Sequence, residues 1–361
     1  MSSPDQLLVR ESVALMDGYH SPQLDVAVRL NTNESPVPPP EGWAEALQAA
    51  LVEIDWHRYP DRAAHELRAA LAKHERVAPE QVFAANGSNE VLQCLMLAFG
   101  GPGRSALAFE PTYALHSHIS RLAATEVVTG ERRDDFSLDA DYVSAMVAEH
   151  RPAVTFLCSP NNPTGMVEPP QLVERLLAEV AALPGLLLMD EAYGQFDPHT
   201  AVDLIDESRP LAVARTYSKT WSMAAARLGY VVAPSWVVAE LDKVTLPYHL
   251  DSFKQIAGRL ALDYEDEMND RVAVLVAERE RIASTLDQLP VHHWPSGANF
   301  ILLRPDSDDG SGSGVWQGLV DRSVLVRNCS SWPRLAGCLR VTVGSPAEND
   351  AFLSALSEVL T

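Results

Sequence analysis

Lysine is nearly missing from this chain of 361 residues: of its 28 basic residues only Lys73, Lys219, Lys243 and Lys254 are lysines. With 49 acidic residues the net charge is −21, which argues against nucleic acid or an anionic membrane as the main partner, since either would repel the chain. Cysteine is as scarce. Cys94, Cys158, Cys329 and Cys338 follow neither a C-x-x-C nor a disulfide-framework spacing, so they read as reduced thiols of a cytoplasmic protein. No apolar run reaches the roughly 18 residues of a membrane span, and residues 1–6 lack the basic start of a signal peptide. A G-x-x-x-x-G-K-[ST] loop and a His/Asp metal spacing are missing too. What remains is a soluble globular composition, 47% hydrophobic and 21% charged, on a chain too long for one ordinary core. A large domain with a smaller one is the expectation.

Scarcity makes the placement of Lys219 informative. It follows Ser218, just past the apolar run 211–214 and before the small-residue segment 224–226, with Arg227 eight residues on. An amine that forms a Schiff base cannot be replaced by arginine, whose guanidinium stays protonated and is a poor nucleophile. A lysine retained at a strand-to-helix junction, with a phosphate-type arginine downstream, points to pyridoxal 5′-phosphate (PLP) chemistry.

Short apolar strands alternate with helical stretches through the middle of the chain, which predicts a mostly parallel sheet covered by helices. Residues 82–85 read as a strand, and 87–90 open a helix with Val91, Leu92, Leu95, Met96 and Phe99 on its apolar face. The runs 154–158, 186–189, 211–214 and 230–233 repeat the strand pattern. Asn161-Asn162, Asp190 and Ser218-Lys219 stand at carboxyl ends of these runs, where such sheets bind ligands. The stretch 251–289 is helical and charged and leads into a second unit, with strands over 298–304, 324–326 and 339–343 and a closing helix over 348–360. The division expected is an N-terminal arm that is part of the small domain (1–40), a large cofactor-binding domain (41–250) and a small C-terminal domain (251–361).

Several motifs carry chemistry. The turn 159–165 fixes Asn162 at a strand end, where its amide can donate to a phenolate oxygen on a cofactor ring; an ordinary Asn-Pro turn is the competing reading. Asp190 ends a buried run, and a carboxylate there needs a cation or donors. A protonated pyridine nitrogen is such a partner, and Tyr193 offers a hydroxyl to the same ring oxygen. Gly87, Ser88 and Asn89 place backbone amides at a helix start, a ready phosphate site, to which Ser218 adds a hydroxyl and Arg227 a bidentate cation. Tyr113 is a candidate to stack on the ring. Arg340 is a charge inside an alternating apolar strand and Arg327 ends the preceding one, a cationic patch suited to an anionic substrate.

Taken in order, these motifs resemble the PLP-dependent aminotransferases of the aspartate aminotransferase fold type, and among them the histidinol-phosphate aminotransferase family. The resemblance runs from 29–36 and Arg58-Tyr59-Pro60-Asp61, through the motifs above, to 246–249 and 339–344. It implies an α/β protein of PLP-dependent transferase fold type I: a large domain with a mostly parallel seven-stranded sheet sandwiched by helices, plus a smaller α+β domain. It further implies that Lys219 holds the Schiff base and shuttles the proton, that Asp190 pairs with the pyridinium nitrogen, and that Asn162 and Tyr193 bind the ring oxygen. Tyr113 is then the stacking residue, and the Gly87 turn with the amides of Ser88 and Asn89, Ser218 and Arg227 holds the phosphate. Tyr59 is expected to reach the phosphate of the neighbouring subunit in a homodimer. Arg340 is expected to bind the carboxylate of glutamate and 2-oxoglutarate. Arg327 and Tyr19 add donors for the phosphate of histidinol phosphate, and Asn33 and Tyr248 complete the substrate pocket.

The reaction implied is transamination between histidinol phosphate and 2-oxoglutarate in histidine biosynthesis. An aromatic amino-acid aminotransferase and a decarboxylase of an amino-acid phosphate are alternatives on the same scaffold. A non-catalytic regulator is disfavoured, having no basic region and no room for a DNA-binding module before Arg29. Val37, the Thr220-Trp221 pair and Ala225 depart from the family pattern and touch the pocket edge and the packing of the cofactor loop.

Overall fold

Two separate sheets organise the chain. The computed structural model describes residues 9–14, 16, 18, 24–306 and 312–360. Its strands are β1 (Val28–Leu30), β2 (Val82–Ala85), β3 (Ser105–Glu110), β4 (Glu126–Glu131), β5 (Val154–Cys158), β6 (Leu186–Asp190), β7 (Leu211–Thr216), β8 (Gly229–Val232), β9 (Val291–His293), β10 (Phe300–Pro305), β11 (Val324–Asn328) and β12 (Leu339–Thr342). The larger sheet has the order β2-β8-β7-β6-β5-β3-β4. Only β8 runs antiparallel to its neighbours. This is the seven-stranded, mostly parallel sheet that the family resemblance implies.

Strand alternation feeds two cores, one on each face. Leu187, Met189 and Val213 join Leu71, Leu157 and Leu176 on one side, while Leu188, Ala212 and Val231 join Val91, Leu92 and Leu95 on the other. The helix Ser88–Phe99 buries Val91, Leu92, Cys94, Leu95 and Met96. Truncating a large apolar side chain here to alanine costs about 2–5 kcal/mol.

The smaller sheet has the order β1-β11-β12-β10-β9. β1 pairs with β11 in parallel, and the remaining pairs are antiparallel. Leu30, Val326, Leu339 and Val341 pack under Ile282, Leu286, Phe352 and Leu356. The alternate positions Arg327 and Arg340 therefore project from the opposite face. The closing helix runs Pro346–Leu360, two residues longer than expected, because proline is accepted in a first helical turn. β1 and β9 have three residues each, too short to show a period in sequence.

The expected division at 250/251 does not coincide with a change of core. Ala257 and Ala261, in the helix Ser252–Ala261, and Met268 belong to the larger core, whereas Leu275, Ile282 and Leu286 belong to the smaller one. The change falls inside the single helix Glu265–Leu286. All four cysteines are unpaired and buried. Among the described residues no helix is long and apolar enough to cross a membrane, and no cluster of His, Cys, Asp or Glu could hold a metal ion.

Candidate active site

The carboxyl ends of β3, β5, β6 and β7 and the first turn of the helix Ser88–Phe99 meet the Arg327 and Arg340 face of the smaller sheet around a cavity of about 620 Å³. Residues 31–33 complete its wall. Lys219 follows Tyr217 and Ser218 on the exit from β7, and its Nζ donates to the carbonyl of Thr32 at 3.3 Å. Burial, with Arg340 and Arg227 nearby, pushes its amine down from the usual 10.5 to about 7. A neutral, nucleophilic amine is thus abundant near neutral pH.

Asp190, the last residue of β6, is buried. Its Oδ1 accepts from the Ala192 amide at 3.1 Å, and its Oδ2 accepts from His116 Nε2 at 2.9 Å. His116 is stacked on Phe156 with ring centroids 4.6 Å apart, and its buried Nδ1 meets no protein partner among the described residues. Next to Asp190, Glu191 accepts from Arg215 Nη2 at 2.9 Å, and Arg215 Nη1 reaches Glu75 at 3.1 Å. This buried network ties the ends of β6 and β7 together, and with them the carboxylate and the amine.

Asn162 accepts at Oδ1 from Arg340 Nη1. The amide nitrogen is therefore the atom left to face the cavity. Tyr193 accepts at its hydroxyl from Asn33 Nδ2 at 2.9 Å, and burial pushes its phenol up to about 12, so it keeps its proton at neutral pH. Asn33 itself has a left-handed backbone (φ 55°), held by a bond from its amide to Thr342 Oγ1.

The opposite end of the cavity is built for an anion. Ser88 and Asn89 begin a twelve-residue helix, so their amides lack intrahelical acceptors. Arg227 Nη1 lies 3.3 Å from Ser218 Oγ. Two glycines keep this corner open: a Cβ on Gly87 (φ +83°) would sit 2.8 Å from Arg227 Nη2, and one on Gly229 would sit 2.3 Å from the Ser88 amide nitrogen. Tyr113 lines the wall between these ends and donates to Asn89 Oδ1 at 3.3 Å.

The cavity thus brings together Ser88, Asn89, Tyr113, Asn162, Asp190, Tyr193, Ser218, Lys219, Arg227, Arg327, Arg340 and Asn33. Tyr59 and Tyr248 are not among its lining residues; they stack on each other outside it, centroids 4.4 Å apart. Tyr19 lies outside the described residues. Sequence reasoning misses His116, whose one signal is a spacing of about one helical turn from Tyr113; the fold sets the two rings edge to face, centroids 5.5 Å apart. It also misses His118, Arg121 and Trp332, which line the wall. Gly87 is not among the lining residues but backs Arg227 from behind the corner. The donor set fits PLP: a buried carboxylate for a pyridinium, an amide and a phenol for a ring oxygen, an amine, and an anion corner of two helix-start amides, a hydroxyl and a guanidinium.

Comparison with known proteins agrees with this geometry. The chain is 46% identical to a histidinol-phosphate aminotransferase of Frankia casuarinae over 99% of its own length and 91% of the relative's. It is 44% identical to one of Mycobacterium marinum, covering 98% and 93%. A crystal structure of histidinol-phosphate aminotransferase from Sinorhizobium meliloti shares the fold with a TM-score of 0.83 at 24% identity, covering 93% of this chain and 91% of that one. Residues 25–356 match the model of the family described as aminotransferase class I and II, and the chain belongs to that family.

Proposed function

We propose that the protein transfers an amino group between histidinol phosphate and 2-oxoglutarate, using PLP, in histidine biosynthesis. The observation that carries this reading is the Arg327–Arg340 pair, directly opposite on β11 and β12 and both on the cavity that holds Lys219. A phosphate monoester carries close to two charges and rewards two guanidiniums, where a carboxylate needs one. The relatives named histidinol-phosphate aminotransferase support the same substrate.

PLP, when bound, supplies the electron sink for the reaction. The chain's own residues do the rest. Lys219 Nζ accepts the proton lost from the amine-bearing carbon of the substrate and carries it onward. Asp190 would hold a proton on the ring nitrogen, and His116 Nε2, 2.9 Å from Asp190 Oδ2, orients the carboxylate. Asn162 Nδ2 and the Tyr193 hydroxyl would donate to the ring oxygen. The Ser88 and Asn89 amides, Ser218 and Arg227 would anchor the cofactor phosphate, and Arg340 with Arg327 would orient the substrate anion.

A cytoplasmic homodimer, with Tyr59 reaching the partner's site, is part of the same proposal. Support comes from Trp56, Tyr59, Leu246 and Tyr248, large apolar side chains exposed on a single chain. We place the junction between the two parts within 265–286. Sedimentation tests the dimer, and loss of cofactor affinity in Tyr59→Phe tests the crossing residue.

The substrate is tested by single-turnover half-reactions with each amino donor, followed through the cofactor's visible absorbance. Histidinol phosphate is expected to exceed phenylalanine in kcat/KM by at least about 100-fold. Faster turnover of phenylalanine would overturn the assignment, and carbon dioxide release would indicate a decarboxylase.

A further inference from the structure

Arg327 and Arg340 face each other across antiparallel neighbours, where like charges repel. Both are buried, so water screens them weakly. Arg340 has Asn162 Oδ1 on Nη1, the Asn31 carbonyl on Nη2 at 3.1 Å and the Phe300 ring at 5.1 Å, while its buried Nε meets no protein partner among the described residues. One further side chain touches both cations. The ring of Trp332 lies 5.3 Å from Arg327 Cζ and 6.0 Å from Arg340 Cζ, and it lines the cavity.

We propose that Trp332 is a positioning residue that holds the two guanidiniums together as one receptor for a dianion, and so sets the preference for a phosphorylated amine. The negative face of an indole attracts a cation, and tryptophan does so better than the other aromatics. Shared by two arginines, it offsets their repulsion before any ligand arrives, so less ordering is left for binding. A carboxylate group, with one charge, needs only one of the two cations and gains less from this arrangement.

Trp332 is itself firmly placed. Its amide donates to the Cys329 carbonyl at 2.9 Å and its carbonyl accepts from Leu335 at 3.1 Å, while Cys329 and Cys338 close the loop by a backbone bond of 3.0 Å. Leu335 is buried with Phe136, Trp294 and Leu302. Arg334 pins the loop to the larger part through Glu131 at 3.1 Å and Asp134 at 2.8 Å.

The inference rests on the phosphate-substrate reading, and the test separates the two. KM and kcat are measured for histidinol phosphate, histidinol and glutamate with the PLP-loaded wild type, Trp332→Phe and Trp332→Leu. Leucine keeps apolar bulk without a ring face. Its KM for histidinol phosphate is expected to rise about 10-fold or more, with kcat and the KM for glutamate changed less than about 3-fold and phenylalanine falling between. Inorganic phosphate, as a competitive inhibitor, is expected to weaken in the same order. An unchanged KM for histidinol phosphate in Trp332→Leu, or an equal rise for glutamate, would overturn the role of Trp332. A wild type that uses histidinol as well as histidinol phosphate would instead overturn the substrate reading beneath it.

Discussion

The Arg340 guanidinium donates to the Asn162 amide oxygen, joining the smaller sheet to the turn after β5 across 178 positions of sequence. Under the proposed function, one arginine would orient a cofactor-facing amide as well as receive the substrate anion. In that proposal, substrate binding and cofactor polarisation would be coupled through a single bond.

Arg340→Lys keeps the charge but loses the planar fork, and KM for both substrates is expected to rise about 50-fold. A double-mutant cycle with Asn162→Ala is expected to give a coupling of about 1 kcal/mol or more. Simple additivity of the two changes would show that the bond has no functional part.

His116→Phe keeps the ring stacked on Phe156 but removes the donor to Asp190. Turnover is expected to fall about 10- to 100-fold with little change in the substrate KM. Full turnover in this variant would show that the carboxylate needs no such support.

Lys219 gives a pH signature in the cofactor-free protein. Below pH 7 the amine is charged in both folded and unfolded chains, and the folded state bears the full penalty of burying it. From about pH 7 to 10.5 the unfolded chain binds the extra proton, so stability climbs with pH. Lys219→Met is expected to be more stable than wild type at pH 6 by about 5 kcal/mol, with the gap closing toward pH 10.5. The same variant should lose turnover by at least about 1000-fold. A pH-independent gap in denaturant melts would contradict the burial of the amine.

Gly87→Ala puts a Cβ against Arg227 at a positive φ. Stability is expected to drop about 1–2 kcal/mol, and cofactor affinity more than 10-fold, or about 1.4 kcal/mol. Titration of the apoprotein with PLP measures it. Unchanged affinity would mean the anion corner lies elsewhere.

The larger sheet is legible in sequence because parallel strands buried on both faces read as short apolar runs, and Asn162, Asp190 and Lys219 sit where those runs end. The lysine is conspicuous against an arginine-rich background. β1 and β9 escape notice because three residues cannot display alternation. The change of core lies off the expected boundary because the helix Glu265–Leu286 serves both cores, so its apolar pattern changes partner without a break. Trp332 gives no signal at all: its meaning depends on two arginines that only the folded β11–β12 pair brings under one ring.

The bond from the Asn33 amide to Thr342 Oγ1 joins segments 309 positions apart in the chain, beside the cavity. During translation, then, the lysine emerges from the ribosome long before the wall opposite it exists. A product that ended before β12 would carry Lys219 without Arg340, and so without that part of the cavity wall.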